Sequence, residues 1–179
     1  MWNYLIQGYI NWDANYKRLL FFVEILDKFA LKINFMKEVK WQGVYPAVTT
    51  KFDENGNLDL PNFLRNIEFQ IFKGISGIII GGSLGESSVL THAERLELVK
   101  SALERFGDQI DIILNIAEGS NRNAISLMKE AETLGVHGFM LLPPMLYLPT
   151  EKEVADYFKD LASNTSLPIM LYNLSLIHI

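Results

Sequence analysis

From residue 43 onward the chain alternates short, continuous apolar runs with longer segments in which apolar residues return every three or four positions. The runs "GVYPAVTT", "GISGIIIGG", "DIILNIAE", "GFMLLPP" and "PIMLYN" start at residues 43, 74, 111, 138 and 168. Apolar runs of this length, bounded by glycine and proline, predict strands buried on both faces, and the segments between them are long enough for crossover helices, so the pattern predicts a parallel sheet. The helix boundaries are also marked. Asp59 can cap a first helix with Pro61 in its opening turn; Phe63, Leu64, Ile67 and Ile71 form its stripe and Gly74 stops it. Thr91 and Glu94 have the spacing of a capping box ahead of Leu96, Val99, Leu103 and Phe106, with Gly107 at the end. Ser120 or Asn121 starts a third helix that Gly135 ends. Thr150 and Glu153 repeat the capping box before Val154, Phe158 and Leu161. Five strands separated by four helices suit either a doubly wound open sheet or an eight-fold β/α barrel. Both gather ligands at the carboxyl ends of the strands.

Composition narrows the chemistry. The chain has 179 residues, 49% hydrophobic and 21% charged, which suits one globular domain and excludes disorder. Its 21 acidic and 16 basic residues lack the basic footprint of a nucleic-acid partner. With no cysteine, disulfides and thiolate metal sites are excluded, and the three histidines, His92, His137 and His178, have no ligand spacing. The most apolar stretch, "LLFFVEILDKFALKINF", is broken by Glu24, Asp27, Lys28 and Lys32, so no membrane span is expected and the cytoplasm is the default location. Phe69, Phe72, Tyr157 and Phe158 at helical spacing read as core or subunit contacts rather than a stacking surface.

The glycine-rich turn after the second run, "GGSLGE", sits where ligands are expected. Gly81, Gly82 and Gly85 permit backbone conformations that a β-carbon would block, and successive N–H groups there can form a concave site for a carboxylate or phosphate. The spacing also suits a plain tight turn. It departs from the dinucleotide fingerprint, and the acid of "DIILN" opens its strand instead of closing it.

"AVTTKF", "GGSLGES", "AEGSN", "LLPPMLY" and "LPIMLYN", in this order and at this spacing, resemble the dihydrodipicolinate synthase and N-acetylneuraminate lyase superfamily of class I aldolases over residues 36–173. The resemblance implies a partial (β/α)8 TIM barrel, strands one to five with four helices, from an enzyme that assembles as a homo-oligomer, usually a tetramer. It implies a Schiff base between a lysine and pyruvate or another 2-oxo acid, with no metal or organic cofactor in the chemical step. Ser83 stands at a proton-relaying threonine of the family's GTTGE loop. Gly82 and the N–H groups of Ser83 and Leu84 would bind the substrate carboxylate. Leu84 replaces a second threonine, losing a hydroxyl but no backbone donor. Glu86 reads as a loop brace or helix-start acid instead of the general base. The family's catalytic tyrosine matches Tyr147 after a one-residue shift; aligning Pro149 with the family's proline puts Leu146 there. Leu148 departs from a basic residue that many relatives carry nearby. Tyr172 and Asn173 match the family's "YN" at the end of strand five, and the Schiff-base lysine belongs to strand six, beyond that point. Lys51 occupies a proline position of the family and is expected to be a solvated loop lysine.

The ends read differently. Residues 1–35 have neither the order of a signal peptide nor the composition of a transit peptide. Met36 opens a polar lead-in to the first strand, so it is the expected start and the preceding residues are expected to be translated upstream sequence. An amphipathic helix within "YKRLLFFVEILDKFALKI" is the rival. The final "LSLIHI" is one translation of CTG TCT CTT ATA CAC ATC, the mosaic end of a widely used sequencing transposon. Residues 174–179 are therefore expected to be adapter-derived, with an ordinary apolar tail as the alternative.

Overall fold

The structure is a computed structural model, and it describes residues 39, 41–143 and 149–172. The expectations for residues 1–35, Met36, Leu146, Tyr147, Leu148, Asn173 and residues 174–179 fall outside these. Four helices, α1 (Leu60–Phe72), α2 (His92–Phe106), α3 (Asn121–Leu134) and α4 (Glu151–Ser163), alternate with four strands, β1 (Gly77–Ile80), β2 (Asp111–Ile116), β3 (Gly138–Leu141) and β4 (Ile169–Leu171). The strands are all parallel and lie in sequential order. A doubly wound sheet reverses its strand order at a switch point, whereas a β/α barrel adds each strand beside the last. The unbroken order places these elements in a partial (β/α)8 barrel.

Local chemistry accounts for the helix ends. The Asp59 carboxylate accepts the Asn62 N–H at 3.0 Å, and Pro61 occupies the first turn, where its missing donor costs nothing. Thr91 with Glu94 and Thr150 with Glu153 each form the reciprocal capping box. Ser120 caps α3, and Gly135 closes it with φ near +98°, a left-handed conformation suited to glycine. The buried face of α2 is rotated from the expected stripe: Arg95, Leu98, Val99, Ala102 and Phe106 are buried, while Leu96 and Leu103 are only partly covered. Neighbouring helices on both sides decide that rotation, which the periodicity of a single segment does not contain.

The first expected strand, residues 43–50, runs beside β1 but forms only an isolated bridge, Ala47 to Ile79. The Val48 N–H donates to the Ile79 carbonyl at 3.0 Å, and the Ile79 N–H donates to the Pro46 carbonyl at 2.9 Å. Two causes stop the ladder from growing. Toward the amino end the next donor would be residue 46, a proline without an N–H. Toward the carboxyl end β1 stops at Ile80, because Gly81 takes a left-handed φ near +72° and leaves the strand conformation, with its carbonyl accepting from the Asn115 side chain at 2.7 Å.

Alternation across the sheet separates two apolar layers. Ile78, Ile80, Ile112, Leu114, Phe139 and Leu141 pack with the helices, including the fully buried Phe63, Ile67 and Leu127. Each such side chain contributes about 1.5–3 kcal/mol. Ile79, Ile113, Met140 and Met170 face the other way, toward the barrel interior, with Trp41, Tyr45 and Ala47. At the amino ends of the strands two aromatic rings lie on glycines: a β-carbon at Gly77 would meet the Tyr45 ring at 2.2 Å, and one at Gly138 would meet Trp41 at 2.4 Å. The Tyr45 hydroxyl donates to Asp111 at 2.7 Å. Burial, then that carboxylate, hold its pKa well above the ordinary phenol value. No helix among the described residues is long and apolar enough to cross a membrane.

Candidate functional site

The glycine-rich turn leaves the carboxyl end of β1 and returns to α2 through a single 3₁₀ turn, Ser83–Gly85. Gly81 takes φ near +72°, which glycine adopts without a side-chain penalty. Gly85 is required by proximity, because a β-carbon there would stand 2.8 Å from the Val48 carbonyl oxygen. The turn therefore lies directly on the first strand-like segment.

Its hydrogen bonds are asymmetric. The Gly82 carbonyl accepts from the Gly85 N–H at 2.9 Å and the Ser83 carbonyl from the Glu86 N–H at 3.2 Å. The Gly81 and Gly85 carbonyls accept from the side chains of Asn115 and Thr50, both at 2.7 Å. Among the described residues, the amides of Ser83 and Leu84 donate to no acceptor. Both residues are exposed, Leu84 to 72%. The Gly81, Gly82, Ser83 and Gly85 carbonyls are thus engaged beside two open backbone donors, an arrangement through which a turn can hold an anion by its N–H groups.

Glu86 is exposed and left-handed at φ 57°, and its carboxylate makes no hydrogen bond or ion pair among the described residues. It lies five residues ahead of the Thr91 cap, so it is not a helix-start acid, and it is its backbone that bonds within the loop, the N–H donating to the Ser83 carbonyl at 3.2 Å and the carbonyl accepting from the Val89 N–H at 3.0 Å. Lys51 borders a surface cleft of about 610 Å³ with Phe52, Asp59, Asn62 and Arg65; none of the glycine-turn residues lines that cleft. His137 is structural: its Nδ1 accepts the Ile112 N–H at 2.9 Å. Tyr157 and Phe158 are core residues, whereas Phe69 and Phe72 are exposed beneath the Lys73 ammonium. Among the described residues no group of three His, Cys, Asp or Glu could hold a metal ion. Tyr147 falls outside the described residues. The structure does place Pro143 and Thr150, on either side of it, after β3 at the same carboxyl edge as the glycine turn.

Three features of this edge are absent from the sequence reading. Thr50 and Asn115 are buried polar residues, 6% and 1% exposed. Asn115 shares the inward face of β2 with Ile113 and stands opposite Met140. A polar residue at an inward position of an apolar strand is the signal that marks it. The third is a pair: the Arg95 guanidinium of α2 is bonded to Glu118, in the loop after β2, and both side chains are largely buried. The Tyr157 hydroxyl is buried near this pair with no partner among the described residues, and burial, then the Glu118 charge, push its pKa up to about 12.

Comparison with known proteins gives the arrangement a context. A sequence model of the dihydrodipicolinate synthetase family matches residues 40–177. An uncharacterized DapA-like lyase of Rhizobium meliloti is 39% identical over 133 residues, covering 74% of this chain and 44% of that protein. The 4-hydroxy-tetrahydrodipicolinate synthase of Moorella thermoacetica is 35% identical over 136 residues, 76% of this chain and 47% of its own. Among solved structures, a dihydrodipicolinate synthase of Bacillus anthracis superposes with a TM-score of 0.73 at 30% identity, covering 75% of this chain and 46% of that one. YagE, a prophage protein of the dihydrodipicolinic acid synthase family from E. coli K12 solved in complex with pyruvate, gives a TM-score of 0.72 at 29% identity, covering 76% and 46%. The chain thus spans about half the length of the relatives it matches.

Proposed function

The chain belongs to the dihydrodipicolinate synthetase family, and we propose that it is the front portion of a lyase that acts on pyruvate or a related 2-oxo acid through a lysine Schiff base. In the complete enzyme, a lysine beyond residue 173 adds its amine to the C2 carbonyl and water leaves. The resulting iminium draws electrons from C3, whose loss of a proton gives the enamine that forms or breaks a carbon–carbon bond. Gly82, Ser83 and Leu84 hold the carboxylate through backbone donors, the Ser83 hydroxyl relays a proton, and Tyr147 shuttles protons to and from the reacting centre. The complete protein works as a homo-oligomer. Residues 1–35 are not part of the working domain, and at the other end the family match runs to residue 177, into the segment expected to be adapter-derived.

The observation that carries this reading is the pair of open amides at Ser83 and Leu84, set in a turn whose neighbouring carbonyls are occupied. It is supported by the pyruvate complex solved for YagE. Borohydride reduction of the full-length protein with pyruvate tests it: a stable adduct on one lysine is expected, and failure to trap any adduct overturns the mechanism. Tyr147→Phe in the same protein should lower turnover by about two orders of magnitude or more.

A second reading within the superfamily, a deaminase or dehydratase of a sugar acid or a hydroxyproline-derived acid, is favoured by Leu84. Its exposed side chain removes a hydroxyl from the loop. A substrate screen separates the two. The 179-residue chain alone is expected to be inactive and to self-associate, because among the described residues the sheet ends at β4 without a further strand.

A further inference from the structure

We propose that Thr50 and Asn115 are positioning residues that clamp the glycine turn from both sides and thereby set the affinity of the site for the substrate carboxylate. The inference rests on the reading of Ser83 and Leu84 as carboxylate donors and extends it to two residues that never touch the substrate.

The clamp is visible as a pair of hydrogen bonds from opposite neighbours of β1. Asn115, on β2, donates through Nδ2 to the Gly81 carbonyl at 2.7 Å. Thr50, on the strand-like segment on the other side, donates through Oγ1 to the Gly85 carbonyl, also at 2.7 Å. The two carbonyls bracket the two open amides. Gly81 is the left-handed residue at which the chain leaves β1, so fixing its carbonyl fixes the direction in which the turn sets out. Gly85 lies against the Val48 carbonyl, so fixing its carbonyl fixes how closely the turn returns.

Neither donor is an incidental surface group. Both side chains are more than nine-tenths buried, where a hydrogen bond is little weakened by competition with water. Among the described residues, the Oδ1 of Asn115 is also buried without a partner. An apolar side chain branched in the same way, such as leucine, would carry no such cost at that inward position, so apolar packing alone does not account for the amide. Its Nδ2 instead bonds the Gly81 carbonyl just past the end of β1, and Thr50 bonds the far end of the same turn through its hydroxyl. Amides held in place before the substrate arrives need no reorganisation when the carboxylate binds.

The test compares Thr50→Val, Thr50→Ser and Asn115→Leu in the full-length enzyme. Valine removes only the hydroxyl at nearly constant volume, and serine keeps it. The carboxylate is held alike in the ground and transition states, so loosening its donors should raise KM for the 2-oxo acid about tenfold while kcat changes less than about threefold. Thr50→Ser should restore KM. Exchange of the Gly85 and Glu86 amides, which are bonded to the Gly82 and Ser83 carbonyls within the turn, should be faster in Thr50→Val by about tenfold. Wild-type KM and wild-type exchange in a folded Thr50→Val overturn the clamp. A loss of thermal stability with KM unmoved also overturns it, leaving both bonds as purely structural. Should Asn115→Leu fail to fold, the valine and serine pair decides alone. If the wild-type enzyme gives no borohydride adduct, the catalytic reading falls by itself and the exchange rates decide the clamp.

Discussion

Replacing Gly85 with alanine inserts one methyl group between the turn and the segment beneath it. An ideal β-carbon stands 2.8 Å from the Val48 carbonyl oxygen, whereas ordinary contact begins at 3.4 Å. The obstacle is backbone on the inner side of the sheet edge, so it cannot rotate away as a side chain would. Relief requires the turn to lift, and lifting stretches the 2.7 Å bond from Thr50 to the Gly85 carbonyl. Overpacking of this kind costs about 1–3 kcal/mol. The weakened hydrogen bond adds about 0.5–1.5 kcal/mol. The opposing effect is entropic: Gly85 has no positive φ, so alanine restricts the unfolded chain and returns about 0.4–1 kcal/mol. The steric and hydrogen-bond costs exceed the entropic gain, and a net loss of about 1–3 kcal/mol is expected. Thermal melting of the full-length protein reads this directly, at about 2–4 °C per kcal/mol for chains of 150–250 residues and less for longer ones. Titration with the 2-oxo acid should show weaker binding in the same variant. An alanine variant that melts at or above the parent temperature and binds the acid equally well would refute the contact and the argument built on it.

Removing Arg95 alone should be more damaging than removing both members of its pair. Arg95→Met leaves Glu118 largely buried without its partner, at a cost of about 3 kcal/mol, and Arg95→Met with Glu118→Leu should recover most of it, as urea midpoints will show. Tyr157→Phe deletes a buried hydroxyl that has no partner among the described residues, so stability at neutral pH should change by less than about 1 kcal/mol. The effect of Tyr157 appears in alkali. Its folded pKa, about 12, lies above the unfolded value of 10.0, so its contribution is complete below pH 10 and is lost as pH rises through about 12. Tyr157→Phe should flatten the alkaline loss of stability in that window. At the acid side, the Thr91 hydroxyl, then its backbone N–H, hold Glu94 below the usual carboxylate range. That contribution is present above the unfolded-state value and lost as pH falls through the folded one, so Glu94→Gln should melt with a shallower acid dependence. An unchanged acid limb would contradict the capping geometry.

The parts of this protein that were legible in its sequence are those whose causes lie within one turn of chain. Thr91 finds Glu94 and Thr150 finds Glu153 across three residues, Gly135 stops its own helix, and the apolar runs of β1 to β3 identify themselves because both faces are covered. The glycine turn could be located for the same reason. The residues at its centre, Ser83 and Leu84, are reached by family resemblance from the pattern GGSLGE.

What holds that turn is not local. Thr50 meets Gly85 across 35 positions and Asn115 meets Gly81 across 34; Arg95 meets Glu118 across 23. Nothing in the spacing of those residues announces the contacts, because they arise from which strands become neighbours. The same dependence on assembly reduced the first strand to a single bridge, turned α2 a little from its expected face, and settled the choice between a doubly wound sheet and a barrel. By itself, then, the sequence determined the succession of strands and helices and the position of the glycine turn, through hydrogen bonds and apolar periodicity that act over a few residues. Only the tertiary structure decided strand order, the burial of Asn115 and Arg95, and the fixing of the turn, since each of these requires distant segments to be brought side by side.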